Sequence, residues 1–242
     1  MPGGHDADGI TDSAPCHAGT GSVGFATVAV LRGHPTFAIF RMAITLILIA
    51  VTCLVSWAAF KHRSWWMQLV LWPPGVVRRH EYWRLWTSGF VHADLQHLLF
   101  NMVTLFFFGR LMELFFVPRI GEVGYVLFYL GGLLVSSLPS CLRHRDDTAY
   151  VSLGASGAVS AVLFGFILLQ PWALIFVFFI PLPAIVYAVM YVGYGVYMQR
   201  RGTDRINHSA HLWGAAYGVL VTLWVEPRVG GLFLEQVVHP RF

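Results

Sequence analysis

What most restricts this chain is the length of its apolar runs and how little charge interrupts them. Crossing a bilayer takes about 20 mostly apolar residues. Six stretches qualify: 37–60, 95–117, 121–141, 152–169, 171–198 and 209–226. They predict an all-α polytopic membrane protein, a six-helix bundle. Composition agrees, with 57% of the 242 residues hydrophobic and only 12% charged, outside the range of ordinary soluble domains. Arg110 and Glu113 fall near the end of the second run, and Pro181 and Pro183 should kink the fifth.

The rest of the chain divides around these runs. Residues 1–36, rich in Gly, Ala, Ser, Thr and Asp, read as a flexible tail without the n-region, h-region and cleavage site of a signal peptide. Residues 37–226 form the six-helix domain and 227–242 a short C-terminal tail. The long loop from Lys61 to Asp94 is dense in Trp and Arg, which suits a segment lying in the headgroup region. The three cysteines are far apart and suggest neither disulfide nor zinc. The net charge of +4 is scattered among loops, which points to lipid contact and away from nucleic acid.

Consecutive spans alternate direction, so the second, fourth and sixth begin on one membrane face. The second opens "LQHLLFNM", with His97 and Asn101; the fourth opens at "SLGASG", with Ser156; the sixth opens "SAHLWGAAYG", with His211. Each side chain lies within about two turns of its helix start, on the order of 3–10 Å deep at ~1.5 Å per residue. Polar groups in a bilayer are costly unless paired, and they mark function by default. His97 and Asn101, four apart, share a helix face. Gly214 and Gly218 form a GxxxG stripe that lets the sixth helix approach a partner closely. The fourth helix, with Gly154, Gly157 and Ala158, is the natural partner, and that contact would set His211 beside Ser156.

Such a meeting supplies serine hydrolysis. His211 can act as base to Ser156 and then as acid to the leaving amine, while Asn101, His97 and the Ser156 backbone N–H offer donors to an oxyanion. No carboxylate lies at matching depth in the runs, so the expectation is a Ser–His dyad needing no cofactor and no metal.

At these residues the chain resembles a rhomboid intramembrane serine protease of the bacterial six-helix type, over about residues 37–226. The resemblance rests on Gly154-Ala155-Ser156-Gly157, on His92, His97 and Asn101 in "HADLQHLLFN", on Ala210-His211 with Gly214, on Trp83-Arg84 in the first loop, and on Gly109 and Glu113. It implies Ser156 as nucleophile, His211 as general base, and His97 and Asn101 lining the oxyanion hole. Gly154, Gly157, Gly214, Trp83 and Arg84 would support them. The implied substrates are single-span membrane proteins, cut near the extracytoplasmic surface at a helix that unwinds locally. The fifth helix would be a lateral gate, carrying Tyr191 and Tyr194 on the active-site side. The implied setting is a bacterial plasma membrane, crossed several times. A count of basic loop residues favours the reverse orientation. Nothing in the sequence sets an oligomeric state.

One position departs from the pattern. Many rhomboids carry an aromatic residue four positions after the serine, stacked on the catalytic histidine. Here that place is Ser160, so the His211 ring must pack on something else, with Trp213 and Tyr217 as candidates. His92 and His208 read as loop anchors, Trp83-Arg84 as ties between first loop and bilayer, and Glu113 as a helix-end acceptor with Arg110 or Arg119 as partner. Rival classes are an inactive helix-binding relative, a haem or metal protein using His92, His97, His208 and His211, and a transporter. The first is disfavoured because both Ser156 and His211 are present.

Overall fold

The computed structural model describes residues 43–177, 179–202 and 206–240. The expected 1–36 tail, residues 37–42 of the first run and Arg205 lie outside the described residues. The first helix, α1 (Ala43–Lys61), turns small and polar side chains inward. Thr45, Leu48, Thr52, Ser56 and Ala59 are buried, a stripe at helical spacing. Its large apolar residues face outward, with Ile47 58% and Leu54 70% exposed. A soluble helix would invert this arrangement; lipid makes it stable, because lipid tails solvate Leu as well as a core does. By length and composition, α1 and the continuous run Leu95–Arg143 are long and apolar enough to cross a bilayer.

The loop after α1 is structured throughout, with α2 (Arg63–Leu69), α3 (Pro73–Arg79), α4 (Arg84–Thr87) and a 3₁₀ turn at Ser88–Phe90. It leads to α5 (Leu95–Thr104), a π-turn at Leu105–Gly109, and α6 (Arg110–Arg143). The last of these is broken at Gly121, whose φ of 75° and ψ of 173° are non-helical. Positive φ is cheap only for glycine, and the chain folds back there. Tyr125 Oη donates to the Gly109 carbonyl at 2.9 Å, and the Phe116 and Phe128 rings lie 4.3 Å apart. In a straight helix residues 109 and 125 would be about 24 Å apart. The run 95–143 is therefore two helical arms.

Glu113 joins the first arm to α1. It is 1% exposed and accepts from the backbone N–H groups of Ile44 at 3.0 Å and Thr45 at 2.8 Å. Its partner is thus the amino end of a helix, which the macrodipole favours for a carboxylate, and neither Arg110 nor Arg119 as expected. Thr45 Oγ1 meets Tyr125 Oη at 3.1 Å beside it.

The centre belongs to α7 (Ser156–Leu169), buried from Gly157 to Leu168, and it packs on α9 (His208–Val225). A Cβ on Gly214 would overlap the Gly157 carbonyl, and one on Gly218 the Ala161 carbonyl. The two backbones touch, as the GxxxG stripe requires. The second arm of α6 lies on the other side, with Gly132 against Ala158 and Ser136 against Gly157.

Two expectations are corrected. Residues 171–183 do not begin a kinked fifth helix. They form an antiparallel hairpin, β1 (Leu174–Val177) with β2 (Ile180–Pro183), and α8 (Ala184–Arg201) starts only after the second proline. Pro181 and Pro183 lack the N–H that a helix interior needs, whereas the edge of a two-stranded ribbon tolerates them. Residues 227–242 are also more than a tail. They contain α10 (Arg228–Val238), held by buried Val229 and by a 2.8 Å bond from Trp172 Nε1 to the Gln236 carbonyl. Its single apolar face was overlooked because the segment is too short to span.

The α7–α9 contact has a direct test. Gly218→Val should lower stability by about 4 kcal/mol or more, since backbone must move to admit the side chain. The control Gly231→Ala, with open space around it, should instead gain a few tenths up to about 1 kcal/mol. Thermal unfolding in detergent reads both, and equal melting points would refute the tight crossing.

Candidate functional site

The four residues before α7 are not helical: Ser152 forms an isolated bridge with Leu71, and Ala155 sits in the turn that enters the helix. Leu71 and Ser152 exchange backbone bonds of 2.9 and 3.0 Å, and Gly154 N–H donates to the Ser88 carbonyl at 2.9 Å. Ala155 N–H donates to His92 Nε2 at 3.2 Å. Gly154 has φ of 113°, and a Cβ there would strike the His97 ring. Only glycine meets both demands. Ser156 thus enters α7 at its first position with its direction set by the loops around it.

His92 is fully buried. Because its Nε2 accepts, the neutral ring carries its proton on Nδ1 and donates to Ser56 Oγ at 2.9 Å; Ser56 Oγ in turn donates to the Phe90 carbonyl at 2.9 Å. Burial, reinforced by neighbouring His97 and opposed by Asp94, pushes the His92 pKa down to about 3. The expected role as a loop anchor thus gains a definite partner, the peptide that precedes Ser156. Both ring nitrogens are engaged, so His92 could ligate iron only by giving up one of these bonds.

At the site itself His211 Nε2 lies 2.8 Å from Ser156 Oγ. Both residues are half-buried, close enough to the surface for a polypeptide to reach. His97 flanks the approach: its N–H is capped by Asp94 Oδ1 at 2.7 Å and its ring stands edge-on to His92 at 5.0 Å. Asn101 is buried, and its Nδ2 donates to the His97 carbonyl at 3.0 Å. The structure therefore brings Ser156 and His211 into contact and sets the His97 ring against Gly154, two residues before the serine, with Asn101 one turn along α5 from His97.

The first loop is held together by a buried arginine. Arg84 is buried, with Nε 2.5 Å from Glu81 Oε2 and Nη1 2.9 Å from both the Met67 and Val70 carbonyls. It binds the loop to itself, next to Leu71 and the serine segment. Trp83 points outward, 52% exposed.

Two contributions go beyond the sequence expectation, one from Asn207 and one from Tyr191, which the resemblance sets on the active-site side without a contact to His211. Asn207 caps α9: its Oδ1 accepts from Ala210 N–H at 3.1 Å and from Ser140 Oγ at 2.9 Å, while its Nδ2 reaches Ser152 Oγ at 3.1 Å. An Asn just before "HSAH" is a helix-start signal, but its partners are distant in sequence. The other is Tyr191, whose ring stacks on His211 at 6.1 Å and 22°. Neither candidate for that place fills it. Trp213 faces outward, 51% exposed, and Tyr217 lies against Phe128 and Gly131.

A helical membrane bundle with a half-buried serine and histidine in hydrogen-bond contact is the class this geometry defines. A family model described as "Rhomboid domain" matches residues 79–228, more than half of the chain, and the chain belongs to the rhomboid family. It is 33% identical over 160 residues to "RHOMBOID-like protein 12, mitochondrial" of Arabidopsis thaliana, covering 60% of this chain and 46% of that protein. It is 32% identical over 172 residues to "RHOMBOID-like protein 1" of the same plant, covering 69% and 40%. To "Putative rhomboid protease YdcA" of Bacillus subtilis (strain 168) it is 34% identical over 103 residues, covering 40% and 48%. The chain spans less than half the length of each of these relatives.

The His92 anchor predicts a pH dependence of stability. Folding depresses its pKa, so the unfolded chain takes up the proton first. Its stabilisation is complete above an ordinary histidine pKa of ~6.5 and drains away as pH falls towards about 3. Melting temperature in detergent should drop more steeply from pH 7 to pH 4 in the wild type than in His92→Gln; parallel curves would contradict a buried neutral imidazole.

Proposed function

We propose that this chain is an intramembrane serine endopeptidase that cuts transmembrane segments of single-span membrane proteins through a Ser156–His211 dyad. The 2.8 Å contact between Ser156 Oγ and His211 Nε2 carries the reading. In the reaction Ser156 Oγ attacks the scissile carbonyl carbon while its proton passes to His211 Nε2. Charge developing on the carbonyl oxygen meets the Ser156 backbone N–H at the start of α7, an Asn101 amide hydrogen and the His97 ring. The intermediate collapses to an acyl ester on Ser156, and Nε2–H protonates the departing amine. Water then attacks the ester, giving its proton to Nε2, and the serine is restored. The resemblance to many serine hydrolases is one of roles, not of sequence order.

The bundle suits a substrate already in lipid. We read six helical segments as crossings: α1, the two arms at 95–120 and 122–143, α7, α8 and α9. At 14 residues, α7 is about 21 Å long against roughly 30 Å of hydrocarbon. A helix that short leaves its starting serine sunk below one surface, within reach of a substrate helix just inside the extracytoplasmic interface. Cation–π contacts of Lys61 with Trp57, Arg63 with Trp66 and Arg79 with Trp72 suit a first loop lying in the headgroups, where lipids are the constant partner. A substrate peptide bond is shielded by its own helical turn, so sequences with Gly, Ser or Pro near the cut should be preferred. The chemistry requires a bilayer and is indifferent to which organelle or cell supplies it.

In lipid, the wild type should cleave a transmembrane substrate and react with a fluorophosphonate probe. Ser156→Ala should abolish both and His211→Ala nearly so, while Asn101→Ala should lower kcat about 10²–10³-fold, the usual loss for an oxyanion donor. Product formed equally by wild type and Ser156→Ala would sink serine catalysis in favour of a helix-binding role.

A further inference from the structure

Tyr191 lies on α8, the least embedded of the long helices. Only Ala184, Ala188 and Gly195 of α8 are buried, while Val189 is 67% and Met190 57% exposed. Yet Tyr191 reaches the centre of the site, and each end of its side chain has a function. The hydroxyl meets Ser160 Oγ at 2.6 Å, and Ser160 Oγ donates to the Ser156 carbonyl at 2.7 Å. With the one serine hydrogen so used, the tyrosine O–H is the donor, and the chain runs Tyr191 to Ser160 to the Ser156 carbonyl. The ring meanwhile covers one face of His211 in an offset stack. It is supported behind by Phe164 at 5.3 Å and Tyr187 at 5.6 Å. His208 closes on the edge of His211 at 6.2 Å, backed by Tyr194 of α8 at 5.7 Å. One tyrosine therefore touches the base and is tied to the nucleophile's own backbone.

We propose that Tyr191 is the positioning residue for His211, clamped by Ser160, so that the seating of α8 against α7 aligns the base with Ser156. This rests on the dyad proposed above. It makes the position of α8 a condition for proton transfer and adds to whatever part that helix has in admitting substrate. Ser160, small where a ring might stand, is what leaves room for a tyrosine from another helix to take the stack.

The test uses the full chain in lipid vesicles, a single-span substrate and a small fluorophosphonate, which phosphonylates Ser156 Oγ with loss of fluoride and needs no helix admitted. Tyr191→Leu should cut both probe labelling and kcat by ten- to about a hundredfold, as expected for a misplaced base, with KM nearly unchanged. Tyr191→Phe keeps the ring and should recover most of this, remaining about threefold low for the lost hydrogen bond. Ser160→Ala should match Tyr191→Phe, and the double variant should be no worse than either. A wild-type labelling rate in Tyr191→Leu, or a rise in KM alone, would overturn the proposal and leave α8 a substrate entrance only. If Tyr191→Leu melts early, Tyr191→Phe and Ser160→Ala decide: matched, non-additive losses support the clamp, and wild-type labelling in both overturns it. Labelling that survives Ser156→Ala would instead strike the dyad itself.

Discussion

The site depends on two helix backbones touching. Gly214 and Gly218 lie under the carbonyls of Gly157 and Ala161, with no room for a side chain between them. Water cannot drive two helices together where both are already in lipid, so the contact is held by packing, and packing at this range needs glycine. His211, Gly214 and Gly218 fall at i, i+3 and i+7, one stripe of α9. The stripe that makes the crossing tight therefore also points the imidazole along it, one turn above the first glycine contact. Ser156 is the residue before Gly157, so the 2.8 Å meeting of serine and histidine is a geometric consequence of where the glycines lie.

A tight crossing fixes α7 sideways but does not decide where it starts. That is done by segment 152–155, a non-helical stretch whose N–H and C=O groups would be costly to leave unpaired. Leu71, Ser88 and His92 take up its hydrogen bonds, and all three come from the stretch between α1 and α5. The elaborate first loop thus has a structural reason beyond interfacial anchoring. It supplies the bonds that an α-helix would otherwise have made for itself, and buried Arg84 holds the loop's own carbonyls in place for the purpose.

What could be read in advance follows the same division. Periodicity and glycine spacing are local, and from them the α5 and α9 starts, the α7–α9 crossing and the meeting of Ser156 with His211 are legible. Partners distant in sequence are not. Glu113 reads as a helix-end acceptor, but nothing local says that its donors are Ile44 and Thr45, 69 and 68 residues away. The hairpin at 174–183 was hidden in a run whose apolarity suits a helix as well as a strand; its two prolines were taken for a kink and instead set the helix start at Ala184. Tyr191 was placed on the correct side of the bundle, yet its contact with His211 depends on the rotation of α8, which hydropathy does not encode.

The helices also differ in how strongly each is held. Residues Gly157 to Leu168 of α7 are buried and its backbone is in contact on two sides, so displacing it would lose dispersion contacts along its whole length. The buried positions of α8 are two alanines and a glycine, which bring few atoms to the interface, while Val189 and Met190 are mostly exposed. Tyr191 and Tyr187 are different, large rings that pack inward from a lightly buried helix. The fold places Ser156 and His211, the proposed nucleophile and base, on the closely packed pair α7 and α9, and the Tyr191 ring that stacks on His211 on the lightly buried α8. In such an arrangement disturbance of α8 reaches His211 first and leaves the Ser156 backbone where the loops have set it.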